Sequence, residues 1–486
     1  MNILNSFQSN CGSSVRVAIV GGGVSGLSCA YYLLRDARNH GISIVPTIFE
    51  ARNVLGGVIK TVRRDGLVLD LGPECFVSTK PAVMDIASEL ALDSRIIAQA
   101  ERRTFIADSS ELCEIPEGLL SMNPKIPAFL KSRIFSFRAK ARMAAEPLIV
   151  PGACAGDESV ADFLVRRFGR EFLERLAEPL IGGLYGTDPS MLSAKATMPH
   201  LVGLESAHGS VVVGMLIDRC RQLIEQDRMR TLAKSSAGTM STFDGGMGVL
   251  VDRLKACLAS RARIVNSRVV SLCRDGGASK WLIESADRQR ECFDAIIVAL
   301  PAPAAARLLH SVDESLSSAL SSIKYSSPVV VSLVFKQTAF AKPLVGSGFL
   351  VPRRIRRTVR ACTFSSNKFK RESTGEYVVL RASCNVADAK KSDEEIVLSV
   401  VDELKDYLKI VGEPVFSIVA RHDNAIPQFA PGYEDLLELI ERRKAALPNF
   451  ALAGNAFGGM GVSDCVMRAQ KESARLLERM EVLVCK

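Results

Sequence analysis

The chain has 486 residues, a net charge of +9, 48% hydrophobic residues and a mean hydropathy of +0.16. That length is enough for two or three domains with a large core, which excludes a small scaffold stapled by disulfides or metal. The thirteen cysteines contain no C-x-x-C pair and no nucleic-acid motif accompanies the positive charge, so a zinc site, a disulfide framework and a DNA- or RNA-binding role are not expected.

No apolar run reaches the roughly 18 residues of a spanning helix. Residues 1–14 lack the apolar core of a signal peptide and read as a loose leader. A cytoplasmic protein is expected, with a membrane surface as a peripheral partner.

Val15 to Val20 (VRVAIV) is short, apolar and β-branched, and reads as a buried strand. Gly21, Gly23 and Gly26 follow as G-x-G-x-x-G, and a helical pattern continues through Leu27, Ala30, Tyr31 and Leu34. In this pattern the first glycine makes a tight turn, the second admits a pyrophosphate to the backbone, and the third lets helix and strand pack closely. The helix start offers amide N–H groups to phosphate. A second strand, Ile44 to Phe49, ends at Glu50, about 20 residues past the last glycine, where a carboxylate takes ribose hydroxyls. The ADP half of NAD or FAD is expected here.

Gly56-Gly57 sits in a loop where backbone can approach a ligand, and Gly66 to Val77 (GLVLDLGPECFV) reads as a strand running into a turn at Gly72-Pro73. Pro81 to Leu92 is amphipathic. Residues 95–205 read as mainly helical, with Ser159 to Leu180 amphipathic before EPLIGGLYGTDPSML interrupts the pattern. Two basic runs, Lys131 to Arg142 (KSRIFSFRAKAR) and Arg353 to Arg360 (RRIRRTVR), read either as contacts for anionic lipid headgroups or as solvated faces.

Residues 210–227 give another helix, and Phe243 to Leu254 is a glycine-rich loop opening a helix. Strands are expected at Ile264 to Leu272 and Trp281 to Ser285. The buried strand Asp294 to Leu300 resumes the nucleotide-binding pattern, so that domain is discontinuous. Segments 328–335, 345–351, 359–364 and 376–384 read as strands of a mixed sheet, and Glu394 to Leu408 as a helix. Phe450 to Leu477 gives a strand, the loop NAFGGMGVSD and a long helix from about Asp464, a second dinucleotide-type site.

The GGGVSG turn with Glu50 and LGG, the GPECF turn and the GNAFGGMGVSDCV helix start resemble the flavin amine oxidase and protoporphyrinogen oxidase superfamily. EPLIGGLYGTDPSMLSAKATMP, FSSNKF and AIPQFAPGY are narrower and resemble its protoporphyrinogen oxidase branch. The likeness runs from Val15 to Leu477. It implies an α/β fold: a Rossmann-like FAD-binding domain (15–79, 232–305, 449–480), a mixed-sheet substrate domain (80–88, 206–231, 306–448) and a helical, membrane-facing lobe (89–205).

By this resemblance FAD is the cofactor. Gly21, Gly23, Val24, Ser25 and Gly26 hold its pyrophosphate, Glu50 its ribose, and Val269 its adenine end. Gly56, Gly57, Gly72, Pro73, Glu74 and Cys75 line the flavin, and Asn455, Met460, Gly461 and Val462 lie against its ring. The implied reaction takes hydride from a porphyrinogen methylene and a proton from a pyrrole, in three two-electron rounds, with dioxygen as acceptor. It needs no catalytic residue beyond the flavin, which fits five histidines that form no cluster in the sequence. Gly183 and Tyr185 would wall the substrate site, and Phe349, Phe364 and Phe369 would pack either on the tetrapyrrole or in the core. Arg103 is the expected partner of a substrate propionate, or else a solvated arginine.

Coproporphyrinogen is the alternative substrate, and a flavin amine oxidase the alternative enzyme. A homodimer is also expected. The chain departs from the family pattern at Arg421-His422, where tryptophan is usual, and at Ala469, where a glycine lets the last helix approach the flavin.

Overall fold

The computed structural model describes residues 14–39, 41–119, 125–152, 156–229, 240–274, 280–371, 375–385 and 390–484. All of the expected leader except residue 14, and the expected domain boundary at 232, lie outside the described residues.

Continuous apolar sequence builds strands buried on both faces, and these form the first sheet. β1 (Val15–Val20) leads through the glycine turn into α1 (Val24–Asn39), and β2 (Ile44–Phe49) returns beside β1. An antiparallel hairpin follows, β3 (Thr61–Arg64) with β4 (Leu67–Asp70), and then β5 (Thr104–Asp108) with β6 (Glu111–Glu114). The helical lobe includes α2 (Phe137–Ala144) and α3 (Glu178–Tyr185). Downstream come β7 (Arg263–Val265), β8 (Ala295–Val298), β9 (Val329–Lys336), β10 (Gly348–Leu350), β11 (Val359–Phe364), β12 (Tyr377–Cys384), α4 (Asp393–Leu408), β13 (Phe416–Arg421), β14 (Phe450–Leu452) and α5 (Val462–Val484).

The first sheet has the order β7-β2-β1-β8-β14 and is parallel throughout. Val17, Ala18 and Ile19 are wholly buried at its centre because α1 and α5 cover one face and a three-stranded antiparallel sheet, Val269–Arg274, Trp281–Ser285 and Arg290–Phe293, covers the other. The two glycine-led helices, α1 and α5, pack side by side on it through Cys29, Leu33, Ala469 and Leu476.

The second sheet has seven strands in the order β13-β9-β12-β11-β10-β5-β6, antiparallel except for β10 with β5. One face is closed by α4, where Ile396, Val400 and Leu404 bury Leu333, Phe349, Phe364 and Leu380. The other face meets the β3–β4 hairpin at one end, through Leu67, Leu69 and Leu71. At its other end Ile106 and Leu350 meet the helical lobe, through Phe172, Leu176 and Ile181.

The mainly helical reading of residues 95–205 holds among the described residues except at three short strands. Ile96–Ala98, β5 and β6 are strands, and β5 and β6 belong to the mixed sheet. Each is 3 to 5 residues long, too short for its period to be distinctive, and β10, the partner of β5, lies far downstream. The segment Ser159 to Leu180 is also broken, by Gly169 at φ +93 and by one π-helical turn at Leu173–Ala177. Among the described residues no single helix is long and apolar enough to cross a membrane.

Candidate functional site

The β1–α1 turn is shaped by glycine where side chains have no room. A Cβ on Gly21 would collide with the Ala299 carbonyl, and one on Gly26 with the Gly21 carbonyl. Gly21 also holds φ +112, a region that favours glycine. At Gly23 the nearest atom to such a Cβ would be Gly57 Cα at 3.7 Å, so its bare backbone is open to close approach. Val24 and Ser25 begin α1, whose first-turn N–H groups have no acceptor inside the helix and carry the positive end of its dipole.

Glu50, at the end of β2, is 6% exposed. Its carboxylate accepts from the Gly22 N–H at 2.9 Å and the Arg52 N–H at 3.0 Å. The Gly56 N–H donates to the Gly22 carbonyl at 2.8 Å, which ties the second glycine loop to the first. Val269 is half-buried against the cluster containing Phe49 and Val298. A cradle open at Gly23, with helix amides on one side and a fixed carboxylate on the other, fits the ADP half of FAD.

The Gly72–Cys75 turn, expected on the flavin side, is built just as closely. A Cβ on Gly72 would collide with the Val58 carbonyl. Pro73 and Cys75 are half-buried and Glu74 is buried. Glu74 accepts from the Ser365 hydroxyl, and Lys368 Nζ stands 3.3 Å from its Oε2 and 3.6 Å from Cys75 Sγ. Burial pushes the Glu74 carboxyl up, but Lys368, Arg381 and Ser365 outweigh it and hold the carboxyl below its usual range. Burial pushes Lys368 down, and Cys75 with Glu74 reverses that to a net upward shift. Arg381, on β12, donates to the Gly72 carbonyl at 2.7 Å. His422 Nε2 lies 2.8 Å from the Leu71 carbonyl oxygen, and burial lowers its pKa. The residue that replaces the usual tryptophan therefore packs on the strand leading into this turn.

The second dinucleotide-type loop closes the same region from the other side. Asn455 donates to the Ala425 carbonyl at 2.7 Å, Met460 is half-buried, Gly461 is exposed and Val462 is buried at the start of α5. Gly459 and Gly461 curl around Asp464, which accepts from Lys80 Nζ at 2.6 Å and the Gly461 N–H at 3.2 Å. Ala469 lies one turn further on and is wholly buried against α1, its carbonyl 3.9 Å from Cys29 Sγ. The alanine is therefore part of the packing of α5 on α1.

Between these loops and the mixed sheet lies the seam where α3 packs. Strand register places Ile106, Leu350, Ala361, Thr363 and Arg381 on the sheet face toward α3 and the flavin-side turn. A Cβ on Gly183 would rest 3.6 Å from Leu350 Cδ2 and 3.7 Å from Ala361 Cβ, so the glycine lets α3 lie close on that face. The Tyr185 carbonyl accepts from Ser326 Oγ at 2.9 Å and Gln428 Nε2 at 3.0 Å. Burial, and then the charge of Asp464, raise the Tyr185 phenol.

Four expected substrate contacts lie elsewhere. Phe349 and Phe364 are 1% exposed and Phe369 is 0% exposed, in a structure where a side chain lining an open site would show surface. Phe349 and Phe364 project to the α4 face, with ring centroids 6.0 Å apart. Phe369 lies beneath the Lys368 ammonium, 5.3 Å from it. The Arg103 side chain is 51% exposed and pairs with Glu101 at 2.6 Å, driving that carboxyl down to about 2. Strand alternation takes Phe349 and Phe364 away from the seam and Glu101 holds Arg103, while Phe369, just past the Ser365–Lys368 helical turn, is buried beside Lys368.

Conversely, Lys80, Lys368, Arg360 and Arg381 reach the site region without having been expected. Lys368 carried a signal, since it lies within FSSNKF. Arg360 lay within the basic run read as lipid-facing or solvated. That run is mixed, with Arg353, Arg354 and Arg357 exposed and the side chains of Arg356 and Arg360 buried.

The model of the family described as flavin containing amine oxidoreductase matches residues 24–477. Curated relatives include the coproporphyrinogen III oxidase of Bacillus subtilis, 28% identical over 456 residues that cover 93% of this chain and 95% of the relative. Protoporphyrinogen oxidase 2 of Arabidopsis thaliana is 28% identical over 499 residues, covering 96% of this chain and 95% of the relative. A crystal structure provisionally named a protoporphyrinogen oxidase, from Exiguobacterium sp. 255-15, superposes with a TM-score of 0.82 at 27% identity, covering 96% of this chain and 99% of that one. Putrescine oxidase, at 18% identity and a TM-score of 0.68, covers 96% of this chain and 99% of its own, and shares the fold.

Proposed function

The chain belongs to the flavin containing amine oxidoreductase family, and on that premise we propose that it oxidises protoporphyrinogen IX to protoporphyrin IX, with dioxygen as the final acceptor. The observation that carries this reading is the seam itself. One sheet face, Leu350, Ala361 and Thr363, lies under α3 and runs to the flavin-side turn through Arg381. A broad, largely apolar macrocycle with acidic side arms suits such a surface.

The Gly21–Gly26 cradle with Glu50 takes a dinucleotide, so the flavin is FAD. Bound there, FAD supplies a two-electron acceptor at its ring. The chain's own residues bind and orient. Gly72 and Arg381 set the turn beside the ring, and Lys80 balances the Asp464 charge at the start of α5. α3 covers the sheet face and excludes water. Glu74 and His422 are both engaged, by Ser365 and Lys368 and by the Leu71 carbonyl, so neither is placed as a free base. Positioning is what this site contributes to a reaction whose electrons leave through the cofactor.

Coproporphyrinogen is the second reading, favoured by the names of the relatives from Bacillus subtilis and Staphylococcus aureus. Porphyrin fluorescence with both porphyrinogens side by side, together with the visible spectrum of the purified protein, tests both. Faster turnover of protoporphyrinogen supports the lead reading, and faster turnover of coproporphyrinogen the second. A flavin spectrum without either product returns the question to amine substrates.

The proposal extends to a peripheral anionic membrane surface. Ile126, Leu130 and Phe137 are exposed by 64%, 59% and 85%, beside Lys125, Lys131 and Arg138. Apolar side chains interleaved with lysine and arginine suit the headgroup region of a bilayer.

A further inference from the structure

The strand β11 contains one residue too many. Val359 pairs with Cys384 and Ala361 with Ser383, so Arg360 is the extra residue of a β-bulge. A bulge breaks the alternation of a strand and re-aims a side chain. Here it turns Arg360 under α3, with Nη2 3.0 Å from where a Cβ on Gly182 would stand. Gly182, lacking that atom, leaves room for the guanidinium to lie against α3.

Arg360 is 7% exposed, and its Nε has no hydrogen-bond partner. The nearby carboxylates are already taken. Glu178 pairs with Arg356 at 2.8 Å and accepts from the Arg353 N–H at 3.0 Å, while Asp188 pairs with the Arg353 side chain. Three guanidinium groups therefore face two carboxylates, and Arg360 is the one without an ion pair among the described residues. Burial, and then the neighbouring charge of Arg356, lower its pKa to about 10, which leaves it a cation at neutral pH. A buried cation without a counter-ion is costly, and a carboxylate is the anion whose shape matches the guanidinium fork.

Its position gives that anion a role. Ala361, the next residue, lies beneath Gly183. Three residues further along β11 from Arg360 is Thr363, which pairs with Arg381, and Arg381 holds the Gly72 carbonyl. At roughly 3.3 Å per residue, Arg360 stands about 10 Å along the strand from the flavin side.

We propose that Arg360 is the receptor for a substrate carboxylate, holding the macrocycle by its acidic edge at the far end of the seam while the opposite edge faces Gly72 to Cys75. This rests on the porphyrinogen reading. Arg360 is a positioning residue, and the role assigned above to a propionate partner passes to it from Arg103.

The test titrates the FAD-loaded protein with protoporphyrin IX and with its dimethyl ester, in detergent, by fluorescence quenching. The wild type is expected to bind the free acid at least about tenfold more tightly than the ester, as a charge-assisted contact implies. Arg360→Gln removes the preference and leaves ester affinity unchanged, and Arg360→Lys keeps part of it. Arg360→Met raises Tm in the absence of porphyrin, because it removes an unpaired buried charge, whereas loss of a structural ion pair would lower Tm. An unchanged acid preference in Arg360→Gln overturns the assignment and leaves the porphyrinogen reading standing. Equal wild-type affinity for acid and ester overturns it without any variant. Binding of neither ligand removes the porphyrinogen reading and the proposal together.

Discussion

Arg381 reaches from the mixed sheet to the carbonyl oxygen of Gly72 at 2.7 Å, so one side chain ties that sheet to the Gly72–Cys75 turn proposed to lie beside the flavin. Gly72 is buried, and removing the donor leaves its carbonyl without this partner. Hydrogen bonds to charged groups contribute about 1.5–3 kcal/mol. Arg381→Met is expected to lower kcat and to speed FAD loss by one to two orders of magnitude, on the order of that energy. Flavin absorbance after gel filtration and anaerobic single-turnover reduction check the two effects separately.

Gly26→Ala places a methyl group against the Gly21 carbonyl, in the turn proposed to cradle the pyrophosphate. Backbone cannot yield there without moving β1 away from α1. The variant is expected to purify without flavin colour, and to regain little of it when incubated with excess FAD. Retention of a full flavin spectrum would place the pyrophosphate elsewhere.

The Glu74–Lys368 pair sets a pH window for stability. Glu74 is held below its usual pKa, so its contribution is present above about pH 4.3, the unfolded value, and is lost as pH falls through the lower folded value. Lys368 is shifted upward, so its contribution is present below about pH 10.4 and is lost as pH rises through the higher folded value. Glu74→Gln is expected to lower Tm at pH 7 and to flatten the acid limb of the Tm profile. An acid limb as steep as that of the wild type would assign it to other carboxylates.

Phe349 and Arg103 separate stability from substrate binding. Phe349→Ala opens the core beneath α4 and is expected to cost about 3–5 kcal/mol of stability without raising KM. Arg103→Ala removes an exposed pair with Glu101 and is expected to leave KM unchanged. Steady-state kinetics on both variants, with thermal melts, give the comparison. A KM that rises several-fold in Arg103→Ala would return that arginine to the substrate.

Membrane contact would depend on Phe137 together with the basic residues around it. Co-sedimentation with anionic liposomes is expected at low salt, weakening as salt screens the lysines and arginines. Phe137→Ser is expected to reduce binding severalfold with activity unchanged. A protein that ignores anionic vesicles at low salt would exclude the membrane reading.

What could be read from the chain alone was whatever depends on local backbone. Gly21, Gly23 and Gly26 between an apolar run and a helix, with Glu50 beyond the next strand, state a dinucleotide cradle, because tight turns and close approach need glycine wherever the rest of the chain goes. Four of the seven strands of the mixed sheet, β9 to β12, and the long last helix were legible in the sequence, while β13 was not expected. Tertiary structure decided which side chains face the seam. β5 and β6 were too short to announce themselves. Phe349 and Phe364 fell to the core because register with distant strands sets the face that each residue takes. Arg360 left the ranks of a basic run because one extra residue in β11 turned it under Gly182, where α3, far away in sequence, brings one carboxylate, Glu178, that is already paired with Arg356.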